Sequence, residues 1–472
     1  MRVAIVHYHA RRGGVTRVMQ HAARALKEAG MEPAILVGEP PPDEIVFEAP
    51  VEVVQGLGYD DAEHPSVHPD ALSQQIRAAA TRALGGAPDI WHIHNHALGK
   101  NRLWPYWVSA LAEAGECMAL QIHDFAEDGR PANYRHLGDS TRRLYPLGPR
   151  VLYVLLNRRD YDFLHKAGFP ESRLAVLPNA VHTGAMPDAP PPDHVTRPLI
   201  LYPTRAIRRK NIGELLLWAA VDQHHTFGVT LAPESRGEVE RYRRWKTFAQ
   251  KQMLSVEFEM GLSQDFVDLM HRAEALITTS VAEGFGLAYM EPWMFGRPLI
   301  GRDLPDITSE FKESGLALDH MYDEVTVPQD WVDSARLRET MRASMTHAYE
   351  SFGRKASERD IERAMHAACP GDRVAFGRLD EALQEAVIIR AAREGADAMI
   401  PSSPGLCGWS KDRIKANQAV VRKQYGLPRY GARLKSLYKR INEQDHGPLD
   451  FVPSEQVLDQ FLSPERFCLL RS

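Results

Sequence analysis

Cysteine is scarce in this chain of 472 residues. Its four cysteines, Cys117, Cys369, Cys407 and Cys468, are scattered and form no CxxC pair. That spacing argues against a disulfide framework or a zinc finger and fits a reducing cytoplasm. Long apolar runs are lacking as well. No stretch approaches the roughly 18 apolar residues of a membrane span, although peripheral contact with a membrane stays open. The opening run MRVAIVHYH is too short for a signal peptide and reads as a first β-strand. A net charge of −5 leaves no basic footprint for a nucleic acid. There is no GxGxxG fingerprint, no Walker lysine and no short-period repeat.

What is present is a globular composition, 44% hydrophobic and 25% charged, in a chain long enough for two or three domains. Short apolar runs alternate with helical periodicity. Val3–Val6 precedes a glycine loop and a helix from about Val15 to Ala29, ended by Gly30. Strands follow at Ala34–Val37, Ile90–Ile93, Met118–Ile122, Val151–Leu156 and Leu174–Leu177. Such βαβ alternation implies an α/β fold with a parallel sheet covered on both faces. The proline-rich stretch 186–198 reads as a linker. The alternation then restarts at Leu199–Tyr202 and continues through Phe227–Leu231, Val256–Phe258, Ala275–Thr278 and Pro298–Ile300. Helical, charged sequence spans Ser334–Ala368 and Asp380–Glu394, and Tyr430–Ile441 is a further amphipathic helix. The expected plan is a first domain over 1–185, a linker over 186–198, a second domain over 199–425 with a helical insertion at about 330–410, and a helical tail over 426–472. Two doubly wound, Rossmann-like domains facing a cleft should hold ligands at the carboxyl ends of their strands.

The segment TSVAEGFGLAYMEPWMFG, from Thr279 to Gly296, carries two glutamates, Glu283 and Glu291, eight positions apart. Its strand, Ala275–Thr279, is expected to give way to a helix over Leu287–Phe295, with Glu291 about one turn in. Gly284 and Gly286 leave backbone N–H groups free near that helix start, where an anion is welcome. Carboxylate acceptors beside bare donors suit a polyhydroxylated anion such as a nucleotide sugar. Four cations, Arg205, Arg208, Arg209 and Lys210, follow the strand Leu199–Tyr202. Arg205 and Lys210 are the pair suited to a diphosphate; Arg208 and Arg209 read as solvated or packed along their stems. In the first half, Gly13 and Gly14 sit at a strand-to-helix turn that permits positive φ and close approach to a phosphate. His123 ends an apolar strand, where an imidazole can donate, accept or shuttle a proton. His92, His94 and His96 share one face if their strand continues; packing or acceptor contact is favoured there over a metal site. Basic residues Lys100, Arg102, Arg130 and Arg135 occupy loops that read as acceptor loops.

Together these segments resemble the retaining glycosyltransferases of family 4, which have the two-domain GT-B fold. The likeness rests on Gly13-Gly14-Val15, on Ile122-His123-Asp124, on Arg205 with Lys210, and on Glu283-Gly284-Phe285-Gly286-Leu287 through Glu291, which is similar to the family's EX7E signature. Asn157-Arg158-Arg159-Asp160 and Leu177-Pro178-Asn179-Ala180 also look like family landmarks. The motif order is kept over about residues 1–310. Pro292 departs from the pattern, and so does the region of about 352–408. The resemblance implies a cytoplasmic enzyme of carbohydrate biosynthesis that moves a hexosyl unit from a nucleotide sugar to a hydroxyl acceptor. It implies no metal, no other cofactor and no nucleic-acid partner, and it gives no oligomeric state. It implies catalytic roles for His123, Glu283, Arg205 and Lys210. Donor contacts would come from Gly13, Gly14, Arg205, Lys210, Glu283, Gly284, Phe285, Gly286, Leu287 and Glu291. Another GT-B enzyme, such as a phosphorylase or epimerase, or a non-catalytic nucleotide-sugar binder, is the alternative; no lysine motif for a pyridoxal phosphorylase is recognisable.

Overall fold

The computed structural model describes residues 1–60, 68–181, 197–405 and 409–471. Most of the linker reading at 186–198, and Cys407, lie outside the described residues. The chain divides into two compact units, Met1–His182 with Lys423–Leu462, and Thr183–Arg422 with Ser463–Ser472.

The first unit is built on β1 (Arg2–Val6), β2 (Glu32–Val37), β3 (Val51–Val53), β4 (Ile90–His94), β5 (Met118–Ile122), β6 (Pro146–Leu147), β7 (Val151–Leu155) and β8 (Leu174–Val176). Seven of these form a parallel sheet in the order β3-β2-β1-β4-β5-β7-β8. The short β6 instead pairs antiparallel with Asp450–Phe451. The central strands are buried end to end, so both faces need cover, and period-2 alternation sorts their side chains. Ala4, Val6, Trp91, Ile93, Leu120 and Ile122 enter one core with residues of the helices Pro69–Leu84 and Trp104–Glu113. Val3, Ile5, Ile90, Ala119 and Leu152 enter the other, against the helix Gly14–Glu28.

That second core is completed from far along the chain. The helix Leu427–Asn442 contributes Tyr430, Leu434, Tyr438 and Ile441 to it. Gly431 allows the approach: a Cβ there would stand 3.0 Å from the Ala25 carbonyl oxygen. The expected separate tail over 426–472 is therefore divided, with Lys423–Leu462 folded into the first unit and Ser463–Ser472 into the second. The apolar stripe of that helix needs an apolar partner, and the face of the first sheet supplies one.

The second unit holds β9 (Leu199–Arg205), β10 (Thr226–Leu231), β11 (Val256–Glu257), β12 (Ala275–Thr278) and β13 (Leu299–Gly301), all parallel, in the order β11-β10-β9-β12-β13. The chain leaves β9 toward β11 and returns on the other side of β9 with β12. The point between β9 and β12 is thus a topological switch, where loops diverge and ligands find room. The single helical run expected over Ser334–Ala368 breaks in two, Ser334–Ser351 and Glu358–Ala368. Gly353 takes φ 73° after the first helix, and Ser357 with Asp360 forms a capping box that starts the second. Arg373–Ala375, inside the region expected to be mainly helical, is a strand that pairs antiparallel with Thr326–Pro328 just before it. The helix Glu381–Glu394 packs on Ile212–Val221, and Gln384 Nε2 donates to Asn211 Oδ1 at 2.9 Å.

Candidate functional site

The switch point of the second unit brings two sequence-predicted groups together. After β9 the chain makes a short turn at Arg208–Lys210, and Asn211 follows in the left-handed region at φ 51°. Asn tolerates that conformation better than most residues. Here its side-chain Nδ2 also donates to Glu214 Oε2 at 2.8 Å. Thr279 Oγ1, just past β12, donates to the carbonyls of Lys210 and Asn211 at 3.0 and 3.1 Å. These bonds lock the two loops side by side. The Lys210 ammonium donates to Glu283 Oε1, and Arg209 NH1 stands 3.7 Å from Glu283 Oε2.

Glu283 is 9% exposed. Burial disfavours its charge, but Lys210 and then Arg209 outweigh burial and hold the carboxyl below its ordinary range. The result is a buried, ionised acceptor whose counter-charge is the Lys210 ammonium. Arg209 is thus part of the site, not a solvated stem. Arg208 is no surface cation either: it forms a forked pair with Glu381, Nε–Oε1 2.6 Å and NH2–Oε2 2.9 Å, and Glu381 is mostly buried. The sequence-predicted partner of Lys210, Arg205, points elsewhere. Its NH1 donates to the Ala232 carbonyl at 3.0 Å and pairs with exposed Glu234 at 2.8 Å.

The glutamate loop departs from its expected helix. Leu287–Tyr289 is a single 3-10 turn and the α-helix is only Glu291–Met294, so Glu291 stands at its first position. Pro292 explains this, because proline lacks an N–H and fits only the first turn of a helix. Gly286 takes φ 90°, and a Cβ there would meet the Tyr289 ring at 2.9 Å. Phe285 is 6% exposed and packs edge-on against Phe311, at 5.6 Å between rings. Its side chain is core, and only its backbone and that of its glycine neighbours belongs to the loop surface.

In the first unit, the turn after β1 differs in detail from expectation. Gly13 is extended (φ 173°, ψ 176°) and Gly14 opens the helix Gly14–Glu28, so neither uses positive φ. No side chain caps this helix, and a Cβ on Gly14 would meet nothing within 4 Å. The first N–H groups of the helix are open to an anion.

The histidines gather at the switch point between β1 and β4. His123, after β5, is held by Asn95, whose Oδ1 accepts from the N–H of His123 at 2.7 Å and of Asp124 at 3.0 Å. Its Nε2 shares a 2.9 Å hydrogen bond with His94 Nδ1. The His94 ring stacks on His92 at 4.4 Å, and His92 bonds Gln121 at 2.8 Å and the Tyr438 hydroxyl at 2.7 Å. Burial, reinforced by the His92 imidazole, drives the His123 pKa down to about 3. The burial thus favours the neutral imidazole, which can donate or accept a hydrogen bond. Sequence reasoning missed its partner His94, although the period-2 run signalled a shared face. The third member, His96, leaves that face because β4 ends at His94 and Asn95 turns left-handed at φ 60°. His96 packs instead against Tyr145 and Tyr153. Among the described residues, no three His, Cys, Asp or Glu side chains are placed to hold a metal ion, and no helix is long and apolar enough to cross a membrane.

No protein-family model matches the chain. Its fold is that of GT-B glycosyltransferases, with parallel sheets in two doubly wound domains. Among solved structures it is similar to Alr3699/HepE of Anabaena in complex with UDP, with a TM-score of 0.55 at 12% identity, covering 93% of this chain and 100% of that one. It is also similar to sucrose-phosphate synthase of Thermosynechococcus elongatus, with a TM-score of 0.54 at 12% identity, covering 93% and 99%. A curated relative is the mannosylglucosyl-3-phosphoglycerate synthase of Petrotoga mobilis, 27% identical over 341 residues. That match takes in 65% of this chain and 66% of the relative, just under two thirds of its length.

Proposed function

We propose that this protein is a glycosyltransferase acting on nucleotide sugars, a retaining enzyme similar to family 4 that moves a hexosyl unit to a hydroxyl acceptor without a metal. The observation that carries this reading is the buried Lys210–Glu283 pair at the switch point of the second unit. The two charges neutralise each other. A nucleoside diphosphate sugar offers both a better partner, diphosphate for Lys210 and sugar hydroxyls for Glu283. The second unit is then the donor domain. Arg205 turns from Glu234 to the diphosphate, the N–H groups of Gly284 to Leu287 face the sugar, and Glu291 takes the ribose. The first unit is read as the acceptor domain, where the open amides at Gly13 and Gly14 and the imidazole of His123 are the candidate polar contacts.

The reaction follows from the charges. The bond from the anomeric carbon to the phosphate oxygen breaks and leaves a cationic sugar and an anionic diphosphate. Fixed cations and N–H dipoles stabilise that anion; one such donor is typically worth about 3–4 kcal/mol of barrier. The acceptor oxygen attacks on the same face, and its proton passes to the departing phosphate oxygen. No protein nucleophile takes part, so the two glutamates grip hydroxyls and do not serve as the acid and nucleophile of a glycosidase.

The relative's name supports a sugar-phosphate metabolism, and the UDP complex of HepE supports a uridine or similar nucleotide. A thermal-shift screen against UDP, ADP, GDP and their sugars identifies the donor. Transfer assays on Lys210→Ala and Glu283→Ala then test the roles, and both variants should fold and lose transfer. Wild-type-like turnover in either removes the assignment. Activity lost in EDTA and restored by a metal overturns metal independence. Binding without turnover on any acceptor leaves the non-catalytic reading in its place.

A further inference from the structure

The first unit contains a cavity of about 1150 Å³ that the groups above do not fill. Its wall comes from the loops after β2 and β3, the loop that carries Arg102, and the helix Pro131–Leu137 with the turn that follows. Three arginines and three carboxylates line it: Arg11, Arg102 and Arg135 against Glu39, Asp60 and Asp139. Two of the arginines are already committed. Arg11 forks onto Glu39, Nε–Oε1 2.5 Å and NH2–Oε2 2.8 Å, and Arg102 Nε meets Asp60 at 2.8 Å. Between them lies Tyr59, with the Arg11 guanidinium 5.8 Å and the Lys100 ammonium 5.4 Å from its ring centroid. Tyr106 adds a second ring to the wall.

This chemistry selects among ligands. A polyphosphate would face three carboxylates as well as three guanidiniums, so the wall offers it no net charge. A lipid tail would lie against ion pairs and leave them poorly hydrated. A sugar fits, because each hydroxyl both donates and accepts. It can take a guanidinium N–H and give to the paired carboxylate without breaking either pair, while the side chains of Tyr59 and Tyr106 in the wall add apolar area for its C–H surface. The volume lies just above the range of ordinary small-molecule pockets, about 300–1,000 Å³, and leaves room for a ligand of disaccharide size.

We propose that this cavity is a saccharide subsite, and that the hydroxyl acceptor is itself a sugar. The role as acceptor rests on the transfer reading above; the binding site stands on the cavity alone. The test is saturation-transfer NMR and calorimetry on the full chain without nucleotide, using glucose, mannose, maltose, sucrose, inorganic phosphate and 3-phosphoglycerate as probes. At least one sugar should bind with a Kd of about 1 mM or tighter. Asp60→Asn and Tyr106→Ala should each weaken it about tenfold, and Tyr106→Phe should restore it, with folding checked by circular dichroism. Absence of binding by every sugar overturns the proposal. So does sugar binding indifferent to both positions, or binding confined to phosphate and phosphoglycerate and lost in Arg135→Gln. Nucleotide titrations of the same samples separate the two readings. UDP binding lost in Lys210→Ala with no sugar bound sinks this inference alone. Sugar bound with no nucleoside diphosphate bound sinks the donor reading alone.

Discussion

At the scale of single residues, the central fact is that Glu283 is buried beside one lysine and one more distant arginine. Removing the lysine alone strands a carboxylate, which costs more than removing both partners. Lys210→Met should therefore lower the stability of the second unit by about 3 kcal/mol. Lys210→Met combined with Glu283→Gln should recover most of that loss while staying inactive. Urea denaturation of the three proteins checks this, and equal stability of the single and double variants contradicts it. The pair was half legible in sequence. A glutamate after one strand and a lysine after another suggest a site, but their contact needs β12 to lie beside β9, and that order is set by the whole sheet. The charge run likewise concealed three different fates, because Arg208 finds Glu381 across 173 positions of chain.

At the scale of elements, strands were read well because buried parallel strands are continuous apolar runs, as with Met118–Ile122. Apolar periodicity alone extends the glutamate helix over Leu287–Phe295, whereas Pro292, which lacks an N–H, points to the later start that the structure has. Asn95 and Asn211 escaped notice, since a left-handed asparagine has no periodic signature. Gly286 is the tightest point of the loop, and Gly286→Ala should cost about 1–3 kcal/mol and raise the KM for donor, read by thermal denaturation and kinetics.

The carboxyl ends of β1, β4 and β5 carry a second element-scale consequence. His7 and His123 are held near pKa 3 and His92 near 4, in each case chiefly by burial. These folded values lie below the ordinary 6.5, so the unfolded chain binds the protons first as pH falls. Stability contributed by the neutral rings is complete above about pH 6.5 and is lost toward pH 4, at about 1.4 kcal/mol per pH unit for each ring. Glu127 acts with the opposite sign. Its burial raises its pKa to about 8, so its share is complete below its ordinary value of 4.5 and is lost as pH rises through 8. Denaturant titrations between pH 4 and 8 should show the acid loss, and His92→Phe should flatten it; a profile unchanged by that substitution contradicts the account.

At the scale of the molecule, two units with separate cores should unfold in two calorimetric transitions. UDP or another matching nucleoside diphosphate should raise only the second unit's transition, by about 2.7 kcal/mol at 100 times its Kd. Gly431→Leu, which drives a side chain into Ala25, should lower only the first. A shift of both transitions by either treatment contradicts the assignment.

The return of Leu427–Asn442 to the first unit also bears on how the protein is made. Domains tend to fold in the order in which a ribosome releases them. Here one face of the first sheet, covered in part by Gly14–Glu28, is completed only after Thr183–Arg422 of the second unit has been synthesised, because Leu427–Asn442 is encoded behind it. The half that emerges first is therefore completed only after most of the second unit has been made. Its exposed strands around Ile5, Ala119 and Val154 are where a nascent chain would need a chaperone most.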